Sequence, residues 1–234
     1  MWERGRDDAA SFSVPVSGAE ASIYPGAPAG IYAILDSAAT ADPERFLAAI
    51  LAGGVRLVQY RAKGGVDRTV VRALHARTNR VGARLVVNDD LAAALVADGL
   101  HAGQEDLADL EASGLDAAAL RAALHGKLLG VSCGMPDEAR RAYADGADYV
   151  GTGPFKATRS KADAGEAIGA AGLAAVCTAT PLPVAAIGGI ELEDLPAVAG
   201  AGARMAAVLS AFAAAPDPKA RARAFVSAWS RLQR

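Results

Sequence analysis

From Gly30 onward, short apolar runs alternate with longer, alanine-rich stretches. The runs are GIYAILD from Gly30, VRLVQYRAK from Val55, ARLVVND from Ala83, GLHAGQ from Gly99, KLLGVSC from Lys127, DYVGTGPF from Asp148, LPVAAIGGI from Leu182 and ARMAAVLSA from Ala203. Each is short and flanked by turn residues, as buried strands are. The stretches between them read as helices. In DPERFLAAILAGG, Asp42 is placed to cap and Pro43 to occupy the first turn. MPDEARRAYADGA repeats that layout, with Gly146 as its stop. DPKARARAFVSAWSRLQ closes the series. Strand and helix in eightfold alternation predict a parallel sheet, and eight units suit a closed barrel. The predicted class is α/β, a single (β/α)8 TIM barrel over residues 29–234. Residues 1–28 are rich in Ala, Ser, Gly and Pro without periodicity. They predict a disordered extension.

Composition narrows the chemistry. The 234 residues suffice for a compact barrel, which typically takes ~250. A net charge of −2 argues against non-specific binding to nucleic acid or anionic membrane, so any cationic site must be local. No run reaches the ~18 apolar residues of a membrane span. The N-terminus has no apolar core of a signal peptide. Cys133 and Cys177 match neither a disulfide framework nor a zinc ligand set. They read as small apolar residues in a reducing, cytoplasmic setting.

Barrel enzymes carry their active sites at the C-terminal ends of the strands, and polar residues gather there. Gln59, Arg61 and Lys63 alternate along strand two, which places all three on its inner face. Two cations side by side require an anion. Each alone is an ordinary strand-end residue, but the shared face points to a diphosphate, with the counter-charge supplied by a ligand rather than by protein. Asp89 and Asp106 follow neighbouring strands, where two carboxylates suit Mg²⁺ with phosphate oxygens; the alternative for each is a helix cap, the role expected of Asp90. GPFKATRSK, from Gly153, carries hydroxyls and cations that suit a phosphate cradle or an ordinary solvated loop. Gly188 and Gly189 after strand seven, with Ser210 after strand eight, match the standard barrel phosphate site. His101 reads as an interior residue with its hydrogen bonds satisfied, and Cys133 as packing.

Six motifs in order, QYRAK, VVNDD, DGLHAGQEDL, LGVS, DYVGTGPFKATRSK and VAAIGGI, resemble thiamine-phosphate synthase from Gly30 to about Phe212. That family is a (β/α)8 barrel that joins a pyrimidine diphosphate ester to a thiazole phosphate. It releases pyrophosphate. The resemblance implies that Gln59, Tyr60, Arg61, Ala62, Lys63 and Asn88 bind the pyrimidine diphosphate. It places Ser132 on the pyrimidine and Lys161 on the diphosphate. Thr158, Arg159, Ser160, Gly189, Leu209 and Ser210 would hold the thiazole phosphate. Asp89 and Asp106 would hold one Mg²⁺. Arg61, Lys63, Lys161 and Ser132 would assist a dissociative displacement. The implied partners are two small phosphorylated substrates, with no nucleic acid and no membrane. Oligomeric state is not written in these motifs.

The chain departs from the family pattern in places. Tyr60 replaces Leu and is expected to face outward, Ser160 replaces Thr, and Ala102 replaces a larger apolar residue. The segment from Asp89 to Asp106 is about two residues shorter, which shortens the helix after strand three. Ala157 stands just before Thr158, where the family favours a proline. The rival readings are a thiazole tautomerase-like relative, a Schiff-base aldolase or phosphosugar isomerase using Lys63 or Lys161, and a non-catalytic phosphometabolite-binding barrel.

Overall fold

The computed structural model describes residues 28–158 and 165–233. Eight strands follow in order: β1 (Gly30–Asp36), β2 (Leu57–Arg61), β3 (Arg84–Asn88), β4 (Gly99–Ala102), β5 (Leu128–Ser132), β6 (Tyr149–Thr152), β7 (Val184–Ile187) and β8 (Met205–Val208). All pair in parallel with their sequence neighbours, and β8 returns to β1, closing the barrel. The predicted fold is the observed one. The helices among the described residues are α1 (Pro43–Ala52), α2 (Arg68–Asn79), α3 (Leu91–Ala94), α4 (Gln104–Ala112), α5 (Ala117–Ala123), α6 (Pro136–Ala144), α7 (Gly169–Ala179), α8 (Leu195–Gly200), α9 (Ser210–Ala213) and α10 (Pro218–Leu232). None is long and apolar enough to cross a membrane. The N-terminal stretch 1–27 lies outside the described residues.

Alternation along each strand divides the core in two. Outward residues such as Leu35, Val58, Tyr60, Leu85 and Val87 pack under the helices with Leu47, Leu74 and Phe225. Inward residues fill the barrel: Tyr32, Ile34, Leu57, Val86, Leu128, Tyr149, Ala185, Met205 and Ala207. Tyr60 is in the outer layer, as its parity predicts. Fully burying side chains of this size contributes roughly 1.5–3 kcal/mol each, so the two layers together hold the strand ends in register.

Local signals set the helix starts. Asp42 accepts the Arg45 N–H at 3.0 Å, with Pro43 in the first turn of α1. Asp90 caps α3 through the Ala93 N–H at 2.8 Å. Helix α6 also opens on a proline, but Met135 has no oxygen to offer. Glu138 reaches back instead and accepts from the Gly134 and Met135 N–H groups. Gly146, at φ +82°, ends that helix in the left-handed region.

Candidate active site

A cavity of about 510 Å³ opens at the C-terminal ends of the strands. Gln59, Arg61, Asn88, Asp89, Asp106, Ser132, Thr158, Gly189, Leu209 and Ser210 all line it. The fold therefore gathers most of the sequence-predicted residues in one place. Arg159, Ser160 and Lys161 lie outside the described residues. Tyr60 and Ala62 are absent from the lining; both contribute to the outer core.

Two expectations for β2 need correction. Strand β2 ends at Arg61, and the chain turns at once, with the Gly65 N–H donating to the Ala62 carbonyl at 3.2 Å. Strand alternation stops there, so Lys63 is exposed and lies outside the cavity lining. Arg61 also has a counter-charge within the protein. Its guanidinium donates to the Asp36 carboxylate, and both side chains are largely buried. The pair forms because Asp36 and Arg61 are register partners at the ends of β1 and β2. Asp36 further accepts the Ala38 N–H at 2.8 Å. This acid, the last residue of GIYAILD, is a rim group that reading the strand ends overlooked.

One metal candidate, Asp89, sits on a strained turn. Asp89 is the one non-glycine among the described residues with a positive φ, at +62°. The Asp90 N–H donates to the Asn88 carbonyl at 2.8 Å, closing a three-residue γ-turn around Asp89. The Asp89 N–H donates to the His101 carbonyl at 2.9 Å, which ties this turn to β4. Asn88 donates its amide to the Asp89 carboxyl. Asp106 is the third residue of α4 and accepts the Gly103 N–H at 2.9 Å. The capping role weighed for it is thus real, and its charge also acts on Asp89. Burial first, and then the Asp106 carboxylate beside it, push Asp89 up to about 6, against the pull of Arg61. The short α3 does not separate the two acids. Among the described residues no cluster of three or more His, Cys, Asp or Glu side chains converges. A hard cation would therefore draw on these two carboxylates, with water or phosphate completing its shell.

Polar groups are not confined to the rim, contrary to the strand-end reading. Beneath the cavity a hydrogen-bonded chain crosses the barrel. Gln59 donates its Nε2 to the Tyr32 hydroxyl at 2.7 Å. Tyr32 and Tyr149 share a hydrogen bond at 2.8 Å, Tyr149 and His101 Nδ1 one at 3.1 Å, and His101 Nε2 and Ser132 Oγ another at 3.1 Å. His101, Gly130 and Tyr149 are register neighbours on β4, β5 and β6. The phenol and imidazole meet over Gly130, where a Cβ would lie 2.2 Å from Tyr149 Cζ and 2.5 Å from His101 Nδ1. Burial pushes His101 down to about 4, against the pull of Asp106, and raises both tyrosines. The inward parity of Tyr32 and Tyr149 was the available signal for this chain. The satisfied interior histidine is as expected; its partners were not named. Gln104 adds a further contact missed in the sequence, donating to the Ser132 carbonyl at 2.6 Å.

On the opposite wall, the loops after β6 and β7 are stitched together. The Phe155 N–H donates to the Ile187 carbonyl at 2.7 Å and the Lys156 N–H to the Gly188 carbonyl at 3.0 Å. Gly188 has φ +105°, and a Cβ there would lie 2.6 Å from Pro154, so only glycine lets the two loops close. Lys156 Nζ pairs with Asp194 at 2.7 Å across the same seam. The stitching holds Gly189 in the cavity wall beside Leu209 and Ser210. Cys133 and Cys177 are free, and burial pushes each thiol up to about 12, which makes neither a nucleophile at neutral pH.

Comparison with known proteins agrees with this arrangement. Residues 31–212 match the family model described as thiamine monophosphate synthase. The thiamine-phosphate synthase of Moorella thermoacetica is 45% identical over 180 residues, covering 74% of this chain and 81% of that protein. That of Anaeromyxobacter dehalogenans is 44% identical over 218 residues, covering 89% of this chain and 92% of that protein. The solved thiamine phosphate pyrophosphorylase of Pyrococcus furiosus superimposes with a TM-score of 0.76 at 26% identity, covering 87% of this chain and 96% of that one. A 3-hexulose-6-phosphate synthase, at 20% identity and a TM-score of 0.57, shares the fold. On the match across residues 31–212 and these identities, the chain belongs to the thiamine monophosphate synthase family.

Proposed function

We propose that this chain joins 4-amino-2-methyl-5-(diphosphooxymethyl)pyrimidine to 4-methyl-5-(2-phosphooxyethyl)thiazole, giving thiamine monophosphate and pyrophosphate. The carrying observation is that one cavity is lined by Arg61, Asp89, Asp106 and Ser132 on one side and by Gly189, Leu209 and Ser210 on the other. That suits two phosphorylated substrates face to face. The C–O bond of the pyrimidine ester breaks, and its electron pair leaves with pyrophosphate. The electron-rich aminopyrimidine carries the resulting positive charge on its methylene carbon. The thiazole nitrogen lone pair then forms the new C–N bond. No protein nucleophile or proton transfer is needed, so the residues act by charge and alignment.

Asp89 and Asp106 fit one Mg²⁺, because two crowded carboxylates with a raised Asp89 gain most from a shared cation. When bound, that ion stabilises negative charge on the departing diphosphate. Arg61, held by Asp36, presents its guanidinium to the same region, and Asn88 orients Asp89. Ser132 contacts the pyrimidine. Gln59 anchors the cavity floor rather than reaching the diphosphate. Lys161 completes the diphosphate site, and Thr158, Arg159 and Ser160 the thiazole phosphate site. We assign the catalytic unit to residues 29–234 and the reaction to the cytoplasm.

The test supplies both substrates with and without Mg²⁺ and measures thiamine phosphate and pyrophosphate together. Equal amounts of the two products, dependent on Mg²⁺ and lost in Asp89→Ala and Lys161→Ala, are expected. Wild-type turnover in both variants would overturn the site assignment. Binding of both substrates without product would establish a non-catalytic barrel.

A further inference from the structure

The hydrogen-bonded chain under the cavity has a direction, which follows from counting hydrogens. Gln59 Nε2 can only donate, so at 2.7 Å the Tyr32 oxygen accepts. Tyr32 must then turn its single hydrogen to its other neighbour, Tyr149, 2.8 Å away. Tyr149 accepts there and gives its own hydrogen to His101 Nδ1 at 3.1 Å. That nitrogen is therefore bare, and the imidazole hydrogen sits on Nε2, facing Ser132 Oγ at 3.1 Å. An imidazolium would put hydrogens on both nitrogens and force two to meet further down the chain. The chain is also held rigid. Tyr32, Gln59, His101 and Tyr149 are all buried. The two phenol rings meet edge-on at 83° and 5.8 Å. Ser132, at the open end, is exposed and lines the cavity.

We propose that Gln59, Tyr32, Tyr149 and His101 act as positioning residues that occupy one lone pair of Ser132 Oγ and leave its hydrogen to be donated into the cavity. The site thereby favours a ligand that presents a bare acceptor atom at that point. This rests on the reading of Ser132 as a contact to the aminopyrimidine, whose ring nitrogens are such acceptors and whose amino group is not. A ligand offering a hydrogen there has only the second Ser132 lone pair to use, with the serine hydrogen turned away from it.

Two measurements on the full chain test it. The first is a long-range ¹H–¹⁵N correlation spectrum of histidine-labelled protein near neutral pH. The chain has three histidines, and His101 is assigned by its loss in His101→Gln. A neutral imidazole with its hydrogen on Nε2 is expected. A hydrogen on Nδ1, on both nitrogens, or a Gln59 amide turned over to accept would overturn the proposal. This readout needs no substrate, so it stands apart from the proposed reaction. The second is a double-mutant cycle of Tyr149→Phe and Ser132→Ala. Tyr149→Phe should raise KM for the pyrimidine substrate about five- to tenfold while kcat stays nearly constant. It should add nothing once Ser132 is alanine. Independent, multiplying losses would mean that Tyr149 merely supports the fold.

Discussion

The floor and the rim of this cavity handle buried polarity in opposite ways. On the floor, Gln59, Tyr32, Tyr149 and His101 satisfy one another and close with Ser132. At the rim, Asp89 and Asp106 are crowded together and push Asp89 up to about 6. Arg61 and Asp36 form an ion pair there. The floor is rigid because every partner is protein. Among the described residues the two rim carboxylates are under-compensated, and a bound cation would complete them. A polar network that holds shape and a charge cluster that awaits a ligand thus stand one above the other, on the same strands.

The largest expected effect comes from opening the Arg61–Asp36 pair at the rim. Arg61→Met leaves the Asp36 carboxylate buried without its cation and should cost about 3 kcal/mol, read from denaturant unfolding, together with loss of turnover. If stability were unchanged, Asp36 would not depend on Arg61.

Acidification separates the two regions by sign. The folded His101 titrates near 4, below its ordinary 6.5, so between those values the unfolded chain binds the extra proton. Its contribution is complete above 6.5 and lost as pH falls through 4, worth about 3 kcal/mol at about 1.4 kcal/mol per pH unit. Asp89 runs the other way. Its folded value near 6 exceeds the ordinary 3.8, so its contribution is complete below 3.8 and lost as pH rises through 6. Asp106→Asn removes the neighbouring charge, lowers Asp89 and should steepen the stability loss between pH 6 and 4. An unaltered slope in unfolding curves across that range would show that the two carboxylates do not interact.

Paired glycine substitutions compare the regions directly. Gly130→Ala pushes a methyl into Tyr149 and His101 and should destabilise by about 1–3 kcal/mol. Gly134→Ala at the rim meets nothing closer than Glu138 Oε2 at 3.7 Å and should stay within about 0.5 kcal/mol. Equal shifts in the thermal midpoints would erase the contrast. The smallest effect belongs to Lys156→Ala. Its pair with Asp194 is solvent-exposed on the lysine side, and unfolding curves should match those of the parent.

Much of this was legible in the chain. Alternation of strand and helix marked all eight strands, the family resemblance supplied Asn88 and Ser132, and strand-end reading pointed to Arg61, Asp89 and Asp106. It failed where local pattern loses its meaning. Strand parity was carried past Arg61 to Lys63, but parity ends where the ladder ends, and a turn begins there. Asp36 was passed over because a single acid ending a strand resembles any other; its partner becomes visible only when β1 and β2 are set in register. The floor depends on contacts such as Tyr32 to Tyr149, 117 residues apart, which no spacing along the chain encodes. Gly130, inside the predicted strand KLLGVSC, is the gap that two rings share.

The γ-turn at Asp89 leaves that position almost no room to drift. A φ of +62° is readily adopted by glycine and tolerated by asparagine and aspartate, so replacements that keep the backbone at ease discard the negative charge. Glutamate keeps the charge but is poorly suited to the backbone, and its extra methylene moves the carboxyl away from Asn88. Two unrelated demands, one steric and one electrostatic, intersect on a single amino acid. A lineage that replaced this aspartate by asparagine or glycine would keep the turn and lose the carboxylate.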